Sequence, residues 1–126
     1  MVKLLAIGLG GFIGALLRYW ISGWAYAHTQ SDFPLGTLAV NVAGSLILGL
    51  VMGLSEHYIF HPHVKLFLTI GFLGAFTTFS TFSYETIMLL QVGSFIKAFL
   101  NIALSILLGF PAAFLGLALG RAIYTR

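Results

Sequence analysis

Residues 71–85 read GFLGAFTTFSTFSYE, and they set the terms for the rest of the chain. They lie inside an otherwise hydrophobic run of membrane-spanning length. Hydroxyls stand at Thr77, Thr78, Ser80, Thr81 and Ser83, phenylalanines at Phe72, Phe76, Phe79 and Phe82, and a carboxylate at Glu85. A lipid-facing helix has no use for so many hydroxyls, because each needs a hydrogen-bond partner that hydrocarbon cannot supply. Polar groups at membrane depth face a bundle interior or a wet path. Gly71 and Gly74 lower helix stability and let backbones approach, and the paired threonines that follow offer the backbone competing side-chain bonds. The pattern predicts a helix interrupted or distorted within the membrane, with its freed backbone groups put to use.

Phe76, Phe79 and Phe82 are three residues apart and so share one side of a helix. An aromatic ring is positive at its edge, so a phenylalanine stripe beside a hydroxyl stripe offers weak electropositive contacts without a full charge that would trap an anion. Taken singly, each phenylalanine also reads as packing and each hydroxyl as a bond back to its own helix. The density of the whole run is what points to a path.

The chain is 60% hydrophobic and 7% charged, against roughly 25% charged in soluble domains. A soluble domain of this size could not hide so much apolar surface. It reads as one integral membrane domain, residues 1–126. The absence of cysteine excludes disulfides, thiolate nucleophiles and cysteine metal sites. The net charge of +3 is scattered, so nucleic-acid binding has no support.

Outward from the central stretch, the chain divides into four apolar segments at about 4–26, 35–54, 64–90 and 95–122, each long enough to cross a bilayer. The first resembles a signal peptide at its start, but it runs past a normal apolar core and carries Arg18, so it is read as a retained span. Its Gly10 and Gly14 form a small-xxx-small pair. Ile13 stands where a dinucleotide fingerprint needs its third glycine. Arg18 reads equally as snorkelling from a helix end or as functional. Tyr19, Trp20, Trp24 and Tyr26 suit an interface. A polar turn at His28–Asp32 follows, then Pro34 in a first helical turn.

Segment two carries Asn41 well inside, either as an interhelical hydrogen bond or as a ligand. Its Gly36, Gly44, Gly49 and Gly53 suit close packing, as do Gly116 and Gly120 in segment four. The loop between segments two and three holds Glu56, His57, His61 and His63, but Pro62 breaks the spacing a zinc site would want. In segment four Asn101 and Ser105 lie four apart on one face, Gly109 extends that face, and Pro111 is expected to kink the helix. With four spans, Lys3, Lys65, Arg121 and Arg126 fall on one side and Lys97 on the other, with Arg18 leaning its way. The bias toward cytoplasmic termini is slight, as in a protein that inserts in both orientations. Four helices enclose little on their own, so an oligomer is expected.

Three motifs carry a resemblance along essentially the whole chain: GGFIGALLRY (residues 10–19), GTLAVNVAGS (36–45) and GFLGAFTTFSTFSYE (71–85). Together they resemble the Fluc (CrcB-type) fluoride channels. The resemblance implies an all-α protein of four transmembrane helices, the third broken near its middle, assembled as an antiparallel dual-topology homodimer in the bacterial inner membrane. It implies two fluoride pathways per dimer and a structural sodium ion at the dimer interface, held by the backbone carbonyls of Gly74 and Thr77. By motif position, Phe79 and Phe82 offer ring edges to fluoride, Asn41 donates to it, and Ser80 and Thr81 supply pathway hydroxyls. Glu85 belongs at a pore mouth and Arg18 at the aqueous vestibule. On the fourth helix the pathway positions are Asn101 and Ser105, then Gly109, where the family carries a tyrosine and several serines. The implied partners are fluoride, sodium, membrane lipid and a second, inverted copy of the chain.

The chemistry of the residues agrees. Fluoride is small and strongly hydrated, so a path through hydrocarbon must replace its water with many donors, none binding so tightly that the ion cannot leave. No nucleophile, acid–base pair or cofactor motif is present, so the chain reads as a non-enzyme. A proton-coupled small multidrug-type exporter also uses four helices, but it wants a carboxylate in its chamber; Glu85 is the one intramembrane acid, and Arg18 would repel cationic drugs. A pure packing subunit accounts for the glycines and leaves Asn41, Asn101 and the hydroxyl run unused.

Overall fold

The computed structural model describes residues 1–124, and among them there are helices and no strands. Arg126, counted above among the terminal-side cations, lies outside the described residues. The first helix, α1, runs Val2–Thr29, and α2 runs Leu35–Ser55. The third span is composite. Residues 62–76, here α3, comprise an α-helical turn Pro62–Leu66, a π-helical stretch Phe67–Leu73 and a last turn Gly74–Phe76. After a break, α4 continues over Phe79–Gln91, and α5 runs Phe95–Ala122. The four stretches Val2–Thr29, Leu35–Ser55, Pro62–Gln91 and Phe95–Ala122 are long and apolar enough to cross a membrane.

Backbone-to-backbone contact organises the bundle. At Gly49 an added Cβ would meet the Ala113 carbonyl of α5, and at Gly116 one would meet the Leu46 carbonyl of α2. The α2–α5 seam is therefore closed by glycine on both sides, the close approach that small residues permit in membranes. The α1–α3 contact works the same way. A Cβ at Gly10 would strike the Phe67 carbonyl, and one at Gly14 the Phe72 carbonyl. Both strikes fall on or beside the π-helical stretch, whose widened turn lies directly against α1.

The helix ends carry small corrections to the sequence reading. His28 and Thr29, expected in the first polar turn, belong to α1. The helix is held there by its own side chains: Thr29 Oγ1 donates to the Ala25 carbonyl at 2.7 Å, and His28 Nδ1 bonds the Trp24 carbonyl at 2.9 Å. Gln30 then caps it in the left-handed region, φ 44°. Pro34 immediately precedes α2 instead of lying within it, and Pro62 opens α3. One ion pair ties each end of the bundle. Lys97 meets Asp32 at 3.3 Å, and Arg121 meets Glu56 through two bonds of 2.7 and 2.8 Å at the opposite end. Those two hydrogen bonds from Arg121 hold the Glu56 carboxyl below its usual value.

Candidate functional site

The third span leaves helical geometry at two residues. Thr77 has φ/ψ of −81°/155° and Thr78 of −151°/115°, both extended. An extended pair in mid-membrane strands backbone groups that hydrocarbon cannot satisfy, so each must find a partner. Asn41 of α2 takes most of that task. Its Oδ1 accepts from the Thr78 N–H at 2.7 Å, and its Nδ2 donates to the Thr78 carbonyl at 3.1 Å. A side-chain amide carries one acceptor and two N–H bonds, so one peptide unit's worth of bonding is met and one N–H is left over. The interhelical bond read as one option for Asn41 is thus present, directed at the backbone of the break.

The hydroxyls around the break finish the caps. Thr78 Oγ1 accepts from the Thr81 N–H at 3.2 Å and donates to Thr81 Oγ1 at 3.0 Å, an N-cap for α4. On the other side, the Leu73 carbonyl accepts from both Thr77 N (3.0 Å) and Thr77 Oγ1 (2.9 Å). The Ala75 carbonyl accepts from Arg18 Nε at 3.0 Å. Two of the carbonyls that lose their helical donors can be traced to these bonds. The Thr78 N–H that a continuous helix would offer Gly74 goes to Asn41, and the Thr81 N–H that it would offer Thr77 goes to the Thr78 side chain. Among the described residues no three His, Cys, Asp or Glu side chains converge, so a cation at the break would rest on carbonyls such as these.

Two open cavities flank the break. One, of about 290 Å³, is lined by Asn41, Ser45, Thr69, Gly74, Thr77 and Phe79 among others. The second, of about 300 Å³, is lined by Arg18, Tyr19, Ser22, Thr37, Thr81 and Glu85. Thr78 lines both. Arg18 and Glu85, far apart in sequence, therefore share one chamber. Neither is spent on the other: Arg18 bonds Ala75, while Glu85 Oε1 accepts from Thr37 Oγ1 at 2.8 Å.

Phe79 is 79% exposed, and its ring centroid lies 5.6 Å from that of the half-buried Phe82 at 48°. Ser80 is exposed beside it. Asn101 and Ser105 line neither of these cavities. Asn101 is 1% exposed, with Nδ2 donating to Thr86 Oγ1 at 2.9 Å, and Thr86 donates in turn to the Phe82 carbonyl at 2.8 Å. Asn101 is thus tied to the turn of α4 that carries Phe82. Its Oδ1 and the Ser105 hydroxyl are buried with no partner among the described residues.

Sequence reasoning missed Thr37 and Thr86. The signal for both was helical spacing: Thr37 precedes Asn41 by four residues, and Thr86 follows Phe82 by four.

Comparison with known proteins points one way. Residues 5–117 match the family described as CrcB-like protein, Camphor Resistance (CrcB). A "Fluoride-specific ion channel FluC 1" from Methanosarcina acetivorans is 50% identical over 129 aligned positions, covering 100% of this chain and 98% of the relative. A "Fluoride-specific ion channel FluC" from Hydrogenovibrio crunogenus is 46% identical, covering 99% of this chain and 96% of the relative. One from Geobacter metallireducens is also 46% identical, covering 96% and 98%.

Proposed function

The chain belongs to the CrcB-like, camphor-resistance family, and from that premise we propose that it is a fluoride-selective passive channel of the plasma membrane. The family is one of channels and not of enzymes. In this reading the protein lets fluoride out of the cytoplasm and so relieves its toxicity. The observation that carries the proposal is the break itself: hydroxyls, an asparagine amide and phenylalanine edges gathered between two open chambers at membrane depth.

The pathway runs along Asn41, Phe79, Ser80, Thr81 and Phe82; Asn101 and Ser105, read from the sequence as its fourth-helix positions, stand behind it, Asn101 bracing the Phe82 turn through Thr86. The leftover N–H of Asn41, the hydroxyls and the ring edges replace the water that fluoride gives up, and none binds with full charge, so exit stays fast. Arg18 draws anions into its chamber and Glu85 guards the mouth it shares with Thr37. Fluoride is favoured over chloride because a narrow path with hard donors returns more of the smaller ion's hydration energy.

The working unit is an inverted homodimer. An isolated subunit leaves Phe79, Ser80 and Gly74 uncovered at membrane depth, which calls for a partner surface. A structural sodium ion at the centre fits the Gly74 and Thr77 carbonyls, whose helical donors are engaged elsewhere. Such an ion would add positive potential beside the pathway without standing in it. The multidrug-exporter alternative is disfavoured by the shared chamber, because a cationic drug reaching Glu85 would meet Arg18.

Purified protein in liposomes, followed with a fluoride electrode beside a chloride electrode, tests the reading. Fast fluoride efflux, without chloride loss and without a proton gradient, is expected. Well-folded protein that releases no fluoride would overturn it.

A further inference from the structure

We infer that the starts of α1 and α3 form a binding groove for one anionic phospholipid. The groove, about 480 Å³, is lined by Val2, Leu5, Ala6 and Leu9 of α1 and by His63, Val64, Phe67 and Leu68 of α3. Every lining side chain but one is apolar, and Val2, Leu5 and Leu9 are 58–64% exposed. The eight residues of α1 from Val2 to Leu9, seven rises of about 1.5 Å, give it a depth of about 10 Å. It opens to hydrocarbon along its length and reaches the membrane surface where both helices begin. That shape takes an acyl chain.

Charge at the head of the groove says which lipid. The one polar lining residue, His63, has a buried Nδ1 with no partner among the described residues. Lys3 lies one turn before Ile7, whose carbonyl packs against Gly71 of α3, so Lys3 stands over the seam between the two helices. Lys65 occupies the same first turn of α3 as His63. The chain has three acidic residues: Asp32 is paired to Lys97 at the other end, Glu85 lines the Arg18 chamber, and Glu56 is doubly bonded to Arg121. No carboxylate is left for Lys3 or Lys65 among the described residues. A lipid phosphate supplies that anion. Basic residues beside a span attract anionic headgroups through the same charge pairing. A zwitterionic lipid would bring its own ammonium to a site already positive.

The proposal does not depend on what the protein conducts. The test is to reconstitute the full chain in vesicles of phosphatidylcholine with one part in four phosphatidylglycerol. The protein is then extracted in mild detergent, and retained phospholipid is counted by native mass spectrometry. Phosphatidylglycerol is expected to be retained in excess of its share. Lys3→Gln should cut that excess by about fivefold, the order expected for one cation near the surface. Ala6→Phe, which fills the groove, should abolish retention of either lipid. Lys97→Gln, at the opposite end, should leave it unchanged. Equal retention of the two lipids, or an excess that survives Lys3→Gln, would overturn the inference. So would displacement of the lipid by soluble glycerol 3-phosphate, since the chain slot would then contribute nothing. A change of oligomeric state in Ala6→Phe with lipid retention intact would assign the groove to a second copy of the chain and overturn it equally.

Discussion

The α2–α5 seam and the break in the third span solve opposite problems. In the seam, glycine removes side chains so that two backbones touch, and both helices run through it without a break. At the break, helical bonds are given up and side chains from α1, from α2 and from Thr78 in the break itself replace them. The seam is dry and apolar, whereas the break is open on two sides. A membrane protein this small thus holds its shape with one region and leaves another under-bonded. In the proposed channel, function belongs to the second, because bonding capacity that the fold does not consume is what an ion can use.

That contrast is breakable. The largest effect is expected at the seam: Gly116→Leu drives a branched side chain into the Leu46 carbonyl, and no monodisperse folded protein should emerge from size-exclusion chromatography. If it folds normally, the seam is not the scaffold. Next is Asn41→Leu, which leaves the Thr78 N–H and carbonyl both without their partner, at a cost on the order of 2–4 kcal/mol. Thermal unfolding in detergent checks it, and Asn41→Asp should recover part of the loss through its remaining acceptor.

Phe79→Ile reverses the logic. Phe79 lies outside the subunit's own core, and isoleucine keeps an apolar side chain there, so the midpoint of unfolding should hold while fluoride flux falls roughly tenfold or more, one decade for each 1.4 kcal/mol or so of barrier. Flux at the unmodified level in a folded variant would show that the ring is packing only. Thr86→Val keeps the shape but removes the acceptor for Asn101, and about 1–2 kcal/mol of stability should go with it.

The smallest effect lies at the Glu56–Arg121 pair. Arg121 holds the Glu56 carboxyl below its ordinary value of 4.5, so the pair contributes above that value and is lost as pH falls beneath it. Glu56→Gln should therefore lower the unfolding midpoint slightly at neutral pH, with the difference shrinking as pH falls below 4.5.

The sequence made the four spans and the interrupted third helix legible because hydroxyl density and glycine placement are local signals. Gly49, Gly116, Gly10 and Gly14 were equally readable as close-packing residues. What each glycine packs against was not, since small-residue motifs do not name their partners. The π-helical stretch escaped notice because its residues are those of any apolar helix. The bond from Asn41 to Thr78 spans 37 residues, and sequence alone left Asn41 open between interhelical bonding and ligation. Thr37 as the partner of Glu85 is a pairing across two helices, of which spacing gives only one side.

The order of Asn41 and Thr78 along the chain carries a consequence for biogenesis. Asn41 is synthesised 37 residues ahead of the peptide group it will bind. By the time the third span leaves the ribosome, the amide that accommodates its break has already been made. The partner for the non-helical backbone of the third span is therefore supplied in cis, by a helix that is already complete when the break emerges.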